Sequence, residues 1–171
     1  GVSSIDPDEA DVMPGEEVQL VGAAATGLVP PNALVCHPGT HNKWARLRSG
    51  RIGRFKTLMT GEIFNLLREG SILADLLSGP VEPGDAFARG VRRGLGDECL
   101  AAELFKIRAR VLLGKADSSD ASSFGSGLLI GADVRAGLLE GEENEVVVMG
   151  RPELTRLYVR RARGESGEGV R

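Results

Sequence analysis

The chain has 171 residues, 42% of them hydrophobic and 26% charged, which is close to the globular average and enough for one sizeable core. A formal net charge of -3 gives no general attraction for nucleic acid or an anionic membrane, so any basic site must be local. No apolar run approaches the roughly 20 residues of a membrane helix, and Cys36 and Cys99 lie far apart with no secretory signal, which excludes a disulfide framework and fits a soluble protein of the reducing cytoplasm.

The chain opens on Gly1 with an acidic, proline-containing stretch, and the expectation is a fragment or truncated product of something longer. Residues 3–15 are polar and turn-rich. Residues 17–25 have helical spacing, with Val18, Val21 and Ala25 near one face and Gly27 as the stop. After Pro30, Pro31 and Asn32, the short apolar run 33–36 reads as a buried strand. It leads into a polar loop, residues 37–44. Segments 45–48 and 52–56 straddle Ser49 and Gly50, the chemistry of a hairpin turn.

From Thr60, a candidate N-cap, the period becomes helical, with Ile63, Leu66 and Leu67 on one face and Gly70 as the end. Residues 71–77, 85–95 (Phe87, Val91, Leu95) and 97–113 (Leu100, Leu104, Ile107, Val111) also have helix-compatible spacing. Residues 114–126 read as a polar loop, 127–139 as a small-residue helix, and 145–149 as a strand ending at Gly150. Pro152 suits the first turn of a last helix whose inner face carries Leu154, Leu157 and Tyr158. The tail from Gly164 is expected to be disordered. Strands feeding helices through short glycine turns imply an α/β domain with a mixed sheet. In such sheets ligands bind beyond the carboxyl ends of strands, where this chain has two loops, residues 38–43 and 150–153.

The first loop carries Gly39, Thr40, His41, Asn42 and Lys43: a permissive backbone, hydrogen-bond donors and a cation, which suits phosphate and equally suits an ordinary polar turn. It lacks the glycine spacing of a Walker loop. Pro38 and Gly39 prevent a helix that would bring His37 and His41 onto one face, and no second Cys/His pair completes a zinc site, so no metal ligand is assigned and Cys36 reads as core. Asp11 is either a solvated acidic turn or a carboxylate able to deprotonate a hydroxyl. The glycines at 125, 127 and 131 resemble a dinucleotide fingerprint in outline, but the last spacing is too long, and helix packing explains them. Gly150 is either a ligand-facing position or a routine turn.

Taken in order, Asp11 through Gln19, Pro38 through Trp44, Met59-Thr60-Gly61-Glu62 with Ser71-Ile72-Leu73, Glu103-Leu104-Phe105 with Arg108, Ser126 through Gly131, and Gly150 with Pro152 through Tyr158 resemble the 2-dehydro-3-deoxygalactonokinases, C-terminal part. This family lies in the hexokinase and actin-like ATPase superfamily, and the resemblance runs over nearly the whole chain. It implies an RNase H-like (actin-like ATPase) lobe with added helices and no N-terminal lobe, divided as residues 1–32 (connecting segment and helix), 33–163 (lobe) and 164–171 (tail). It implies ATP-dependent phosphorylation of 2-dehydro-3-deoxy-D-galactonate at its terminal hydroxyl in galactonate catabolism, with ATP and Mg2+ as cofactors, in the cytoplasm, with room for a homodimer. It makes Asp11 the catalytic base, Gly39 to Lys43 a phosphate-binding loop, and Gly127, Gly131 and Gly150 part of the nucleotide site. The sequence departs from the family pattern at Pro14 (usually Arg), His37 (usually apolar) and Asn42 (usually Ser). The superfamily's first phosphate loop, acidic-Gly-Thr, is not found in it, so the chain alone is expected to be inactive. The other readings are a noncatalytic remnant and a nucleotide- or anion-binding α/β domain.

Overall fold

The computed structural model describes residues 1–4, 8–140 and 145–162, with the side chains of 160–162 excepted. The chain forms two compact units, one of residues Gly1–Met59 with Gly137–Arg171 and one of Thr60–Ala136.

In the first unit, β1 (Val2–Ser4) and β2 (Asp11–Met13) form an antiparallel ribbon that overlaps the polar, turn-rich stretch 3–15. Helix α1 (Glu16–Ala25) follows, with the Glu17 carboxylate accepting the Gly15 N–H at 2.6 Å. It ends where Gly27 adopts φ +75, which lets Leu28 N–H reach the Ala23 carbonyl and Gly27 N–H reach that of Ala24. Its inner face is Leu20 and Ala23; Val18, expected to be inward, is 70% exposed, and Val21 is exposed as well. The buried face lies about half a turn from the expected one, because Leu20 and Ala23 are the residues that pack into the sheet's core.

The main sheet has the order β5-β4-β3-β6. Strands β3 (Ala33–His37), β4 (Asn42–Arg48) and β5 (Arg51–Leu58) form an antiparallel meander, and β6 (Val146–Val148) joins parallel to β3, so the sheet is mixed as expected. Ser49 (φ 51) and Gly50 (φ 75) are both left-handed, the conformation that matches a two-residue turn to strand twist. Met13, Leu20, Ala23 and Val29 share one core with Ala33, Val35, Ala45 and Leu47. Residues before 33 thus pack in the sheet's own unit, and the two compact units divide at 59/60 and 136/137. On the other face Trp44 is buried, and a Cβ at Gly137 would run into its indole. Helix α7 (Pro152–Ala162) buries Leu157 and Tyr158. The tail beyond residue 162 lies outside the described residues.

The second unit is helical: α2 (Thr60–Gly70), α3 (Ala74–Leu77), α4 (Asp85–Leu95), α5 (Leu100–Leu112) and most of α6 (Ala121–Leu138). Thr60 is the first helical residue, and its hydroxyl donates to the Asp133 carboxylate. Helix α3 is shorter than the expected 71–77 because the Ser71 hydroxyl donates to the Leu67 carbonyl and accepts from Leu73 N–H, making a local turn before it. The expected loop 114–126 is also shorter. A 3-10 turn spans Ser118–Asp120, and α6 starts at Ala121, where buried Ser122 donates to the Leu77 and Gly79 carbonyls. Leu73, Leu77, Ile107, Ala121 and Leu128 form this unit's core. Among the described residues no helix is long and apolar enough to cross a membrane.

Candidate functional site

Because β3 and β6 are parallel neighbours, the turns leaving their carboxyl ends start side by side, with Met149 N–H donating to the Cys36 carbonyl at 3.0 Å. Gly150 has φ +155, and a Cβ built there would lie 3.4 Å from the Pro38 carbonyl oxygen. The turn into α7 is therefore packed on the turn between β3 and β4, and the two loops expected at the sheet's ligand-facing end do meet.

The turn between β3 and β4 is only residues 38–41; Asn42 and Lys43 already belong to β4. Adjacent strand residues face opposite sides of a sheet, which separates these two. Asn42 is buried, accepts the Gly39 N–H at 2.7 Å and donates to the Tyr158 hydroxyl on α7 at 2.5 Å. Lys43 is 3% exposed, and its ammonium donates to the Val12 carbonyl at 2.9 Å and to the Thr57 hydroxyl at 2.8 Å. The five residues expected to cradle phosphate thus divide into a turn formed by Gly39, Thr40 and His41, with the last two exposed, and two buried side chains, of which Asn42 holds the turn and Lys43 bonds β2 and β5. Sequence reading missed this because it took 37–44 as loop; extending the strand alternation of 45–48 backwards would have revealed it.

Lys43 pairs across the sheet with His37 on one side and Thr57 on the other, so the three side chains share a row at the carboxyl end of β3. His37 Nε2 lies 3.0 Å from the Gln19 amide oxygen of α1, on the same face. At the far end of the row stands Asp11, half-buried in β2. Thr57 donates to it twice, N–H to Oδ2 and hydroxyl to Oδ1, both at 2.6 Å, and Val12 N–H reaches Oδ1 at 2.7 Å. The structure thus joins Asp11 and Lys43, 32 residues apart, through a threonine that the sequence did not single out. Its signal was modest: Thr57 lies two residues after inward-facing Phe55 and so shares its face.

Gly127 and Gly131 belong to the helical unit, buried on α6. A Cβ at Gly127 would run into the Phe87 carbonyl and one at Gly131 into that of Val91, while Cβ atoms at Gly90 and Gly94 would run into Phe124 and Leu128 backbone. These four glycines form a seam along which α4 and α6 touch backbone to backbone. Packing therefore accounts for glycine at 127 and 131. Gly150, in the sheet unit, stands beside the turn. Cys36 is fully buried, as expected of a core residue.

A mixed open sheet with two adjoining turns beyond the carboxyl ends of parallel strands places the unit in the α/β class, in which that end of the sheet is the usual place for a ligand. Within that class, residues 1–168 match the family described as 2-keto-3-deoxy-galactonokinase. The chain is 42% identical over 127 residues to the 2-dehydro-3-deoxygalactonokinase of Escherichia coli (strain K12), a match covering 74% of this chain and 42% of that protein. It is 39% identical over 180 residues to the probable 2-dehydro-3-deoxygalactonokinase DgoK1 of Rhizobium meliloti (strain 1021), covering 100% of this chain and 57% of that one. A crystal structure from Sinorhizobium meliloti described under the same kinase name superimposes with a TM-score of 0.84 at 38% identity, over 92% of this chain and 54% of that one. The chain belongs to the 2-keto-3-deoxy-galactonokinase family, and it spans about half the length of these relatives.

Proposed function

We propose that the full-length protein is an ATP-dependent sugar-acid kinase that phosphorylates 2-dehydro-3-deoxy-D-galactonate at its terminal hydroxyl in the cytoplasm, and that this chain supplies its actin-like ATPase lobe of RNase H-like topology. Family membership supports the reaction. The observation that carries the site is the bonding of Asp11 to Thr57, at the β5 end of the cross-strand row His37–Lys43–Thr57 whose strands β3 and β4 are joined by the turn bearing Gly39, Thr40 and His41.

An ionised carboxylate offers about four lone-pair positions. Val12 N–H, Thr57 N–H and the Thr57 hydroxyl use three, which holds Asp11 oriented with room to accept one more hydrogen bond. In the proposed step that bond comes from the sugar acid's hydroxyl. Asp11 accepts its proton as the oxygen attacks the γ-phosphorus, and the bond from that phosphorus to the β,γ-bridging oxygen breaks to release ADP. The turn at 39–41 and the start of α7 beside Gly150 face the phosphates, where a helix N-terminus favours anions. Among the described residues no three His, Cys, Asp or Glu side chains converge on a metal position. Magnesium enters this proposal on the nucleotide's phosphates, where it would supply charge neutralisation.

The test is a coupled ADP-release assay on the full-length protein across 2-dehydro-3-deoxy acids, aldonates and neutral hexoses. Turnover on 2-dehydro-3-deoxygalactonate is expected. Robust turnover on a neutral hexose, with none on any dehydro-deoxy acid, overturns the substrate.

A further inference from the structure

Thr57 makes three interactions with one residue's worth of polar atoms, and chemistry fixes their direction. An ammonium can only donate and an ionised carboxylate can only accept. The Thr57 hydroxyl between them must therefore accept from Lys43 Nζ (2.8 Å) and give its single proton to Asp11 Oδ1 (2.6 Å). Its backbone N–H adds the second arm, to Oδ2 at 2.6 Å. A fork from one residue to both oxygens sets the plane of the carboxylate. Lys43 holds the fork's hydroxyl in the correct rotation, and its second bond, to the Val12 carbonyl, fastens it to the strand that carries Asp11.

We infer that Thr57 and Lys43 are positioning residues for the reaction, Thr57 aiming the Asp11 carboxylate and Lys43 orienting the Thr57 hydroxyl, and that Lys43 is not a phosphate ligand. This rests on Asp11 being the base. Lys43 has the residue type and sequence position of a phosphate-loop cation, but its ammonium is buried against the Val12 carbonyl of β2, 31 residues away in sequence, and against the Thr57 hydroxyl of β5. Loss of the hydroxyl leaves Asp11 held by the Val12 and Thr57 N–H groups but less firmly aimed, which costs rate while leaving ground-state binding intact, because misplacement of a reacting group by about 1 Å can lower turnover roughly 10²-fold.

The test is a set of full-length variants assayed for kcat and for KM of both substrates, with thermal melts to report folding. Thr57→Val removes the hydroxyl with little change of shape and should lower kcat by about 10- to 100-fold with KM for ATP unchanged. Thr57→Ser restores the hydroxyl and should recover most of that loss. Lys43→Met should also act on kcat, whereas a phosphate ligand would raise KM for ATP. The deciding readout is Thr57→Val placed on Asp11→Ala: with no carboxylate left to aim, it should cost nothing further. Equal costs of Thr57→Val in both backgrounds, or failure of Thr57→Ser to recover activity in a folded protein, overturns the inference while leaving the base intact. An unchanged kcat for Asp11→Ala alone removes the base itself, and with it this role for Thr57.

Discussion

Asn42 and Tyr158, 116 residues apart, are joined by a buried hydrogen bond from the Asn42 amide to the Tyr158 hydroxyl, which ties the turn between β3 and β4 to α7. The other end of the same amide accepts the Gly39 N–H, so one side chain holds both the turn and its neighbouring helix. Asn42→Ala leaves two polar groups without these partners, and Tyr158→Phe leaves one. With about 1–3 kcal/mol for a buried group left unmade, Asn42→Ala should cost about 2–3 kcal/mol and Tyr158→Phe about 1 kcal/mol. Urea unfolding of the two variants checks this, and a larger loss for Tyr158→Phe than for Asn42→Ala would show that the turn bond matters little.

The same pair of residues shows where sequence reading reached and where it stopped. Local signals were dependable: α2 ends at Gly70 and α4 runs from Asp85 to Leu95 as their spacing predicts, and Ser49-Gly50 makes the expected hairpin. Composition misled at residues 121–126, where serines that read as loop are instead buried small residues of α6, with Ser122 bonded to the Leu77 and Gly79 carbonyls and Ser123 accepting from Glu82 N–H. The candidate site was legible as a list of residues but not as a geometry. Asp11 meets Thr57 across 46 positions, and no spacing rule encodes that contact. Lys43 carries the right charge for a phosphate, yet the strand's alternation turns it inward.

Glu103 is 1% exposed and sits in a forked ion pair with Arg93, at 2.6 and 2.8 Å, with Lys106 also at 2.5 Å. The Arg93 guanidinium above all, and then Lys106, hold its carboxyl down at about 2, against an ordinary value of 4.5, although burial pushes the other way. A depressed folded value means stability that is fully present above about 4.5 and lost as pH falls toward about 2. Unfolding free energy measured by urea titration should therefore fall across that window, and Glu103→Gln should flatten the fall while lowering stability at neutral pH. An unchanged slope in Glu103→Gln would assign the acid sensitivity to other carboxylates.

The seam between α4 and α6 predicts opposite signs for two glycine-to-alanine changes. At Gly131 the added Cβ meets the Val91 carbonyl and lies 3.0 Å from Gly94 Cα, backbone atoms that cannot rotate away. Overpacking of this kind costs about 1–3 kcal/mol, which exceeds the roughly 1 kcal/mol that alanine gains over glycine in a helix, so Gly131→Ala should destabilise. Gly22, inside α1, has nothing within 4 Å of its Cβ position, and Gly22→Ala should stabilise by about 0.4–1 kcal/mol. Thermal melts of the two variants in parallel decide it; a stabilised Gly131→Ala would mean that the helices separate at no cost.

The last prediction concerns the 171-residue chain by itself, which spans 42% and 57% of the lengths of its relatives. The sheet, its two adjoining turns and the Asp11–Thr57–Lys43 row all lie within one compact unit, so the chain should fold with these parts in place. Turnover should nevertheless be absent. Phosphoryl transfer depends on positioning and on spreading the charge of the transferring group, and each well-placed donor to that charge is worth several kcal/mol, or about 10²–10³ in rate. In this chain the turn offers backbone and the exposed side chains of Thr40 and His41, while the Lys43 ammonium is committed to Val12 and Thr57. The expected result is a cooperative melt, ATP-magnesium binding that is weak by isothermal titration, and no ADP release above background, against steady turnover by the full-length protein under the same conditions. Sustained ADP release by the purified 171-residue chain, proportional to its concentration and abolished by Asp11→Asn, would show that the remaining half of the relatives' length is dispensable for the chemistry.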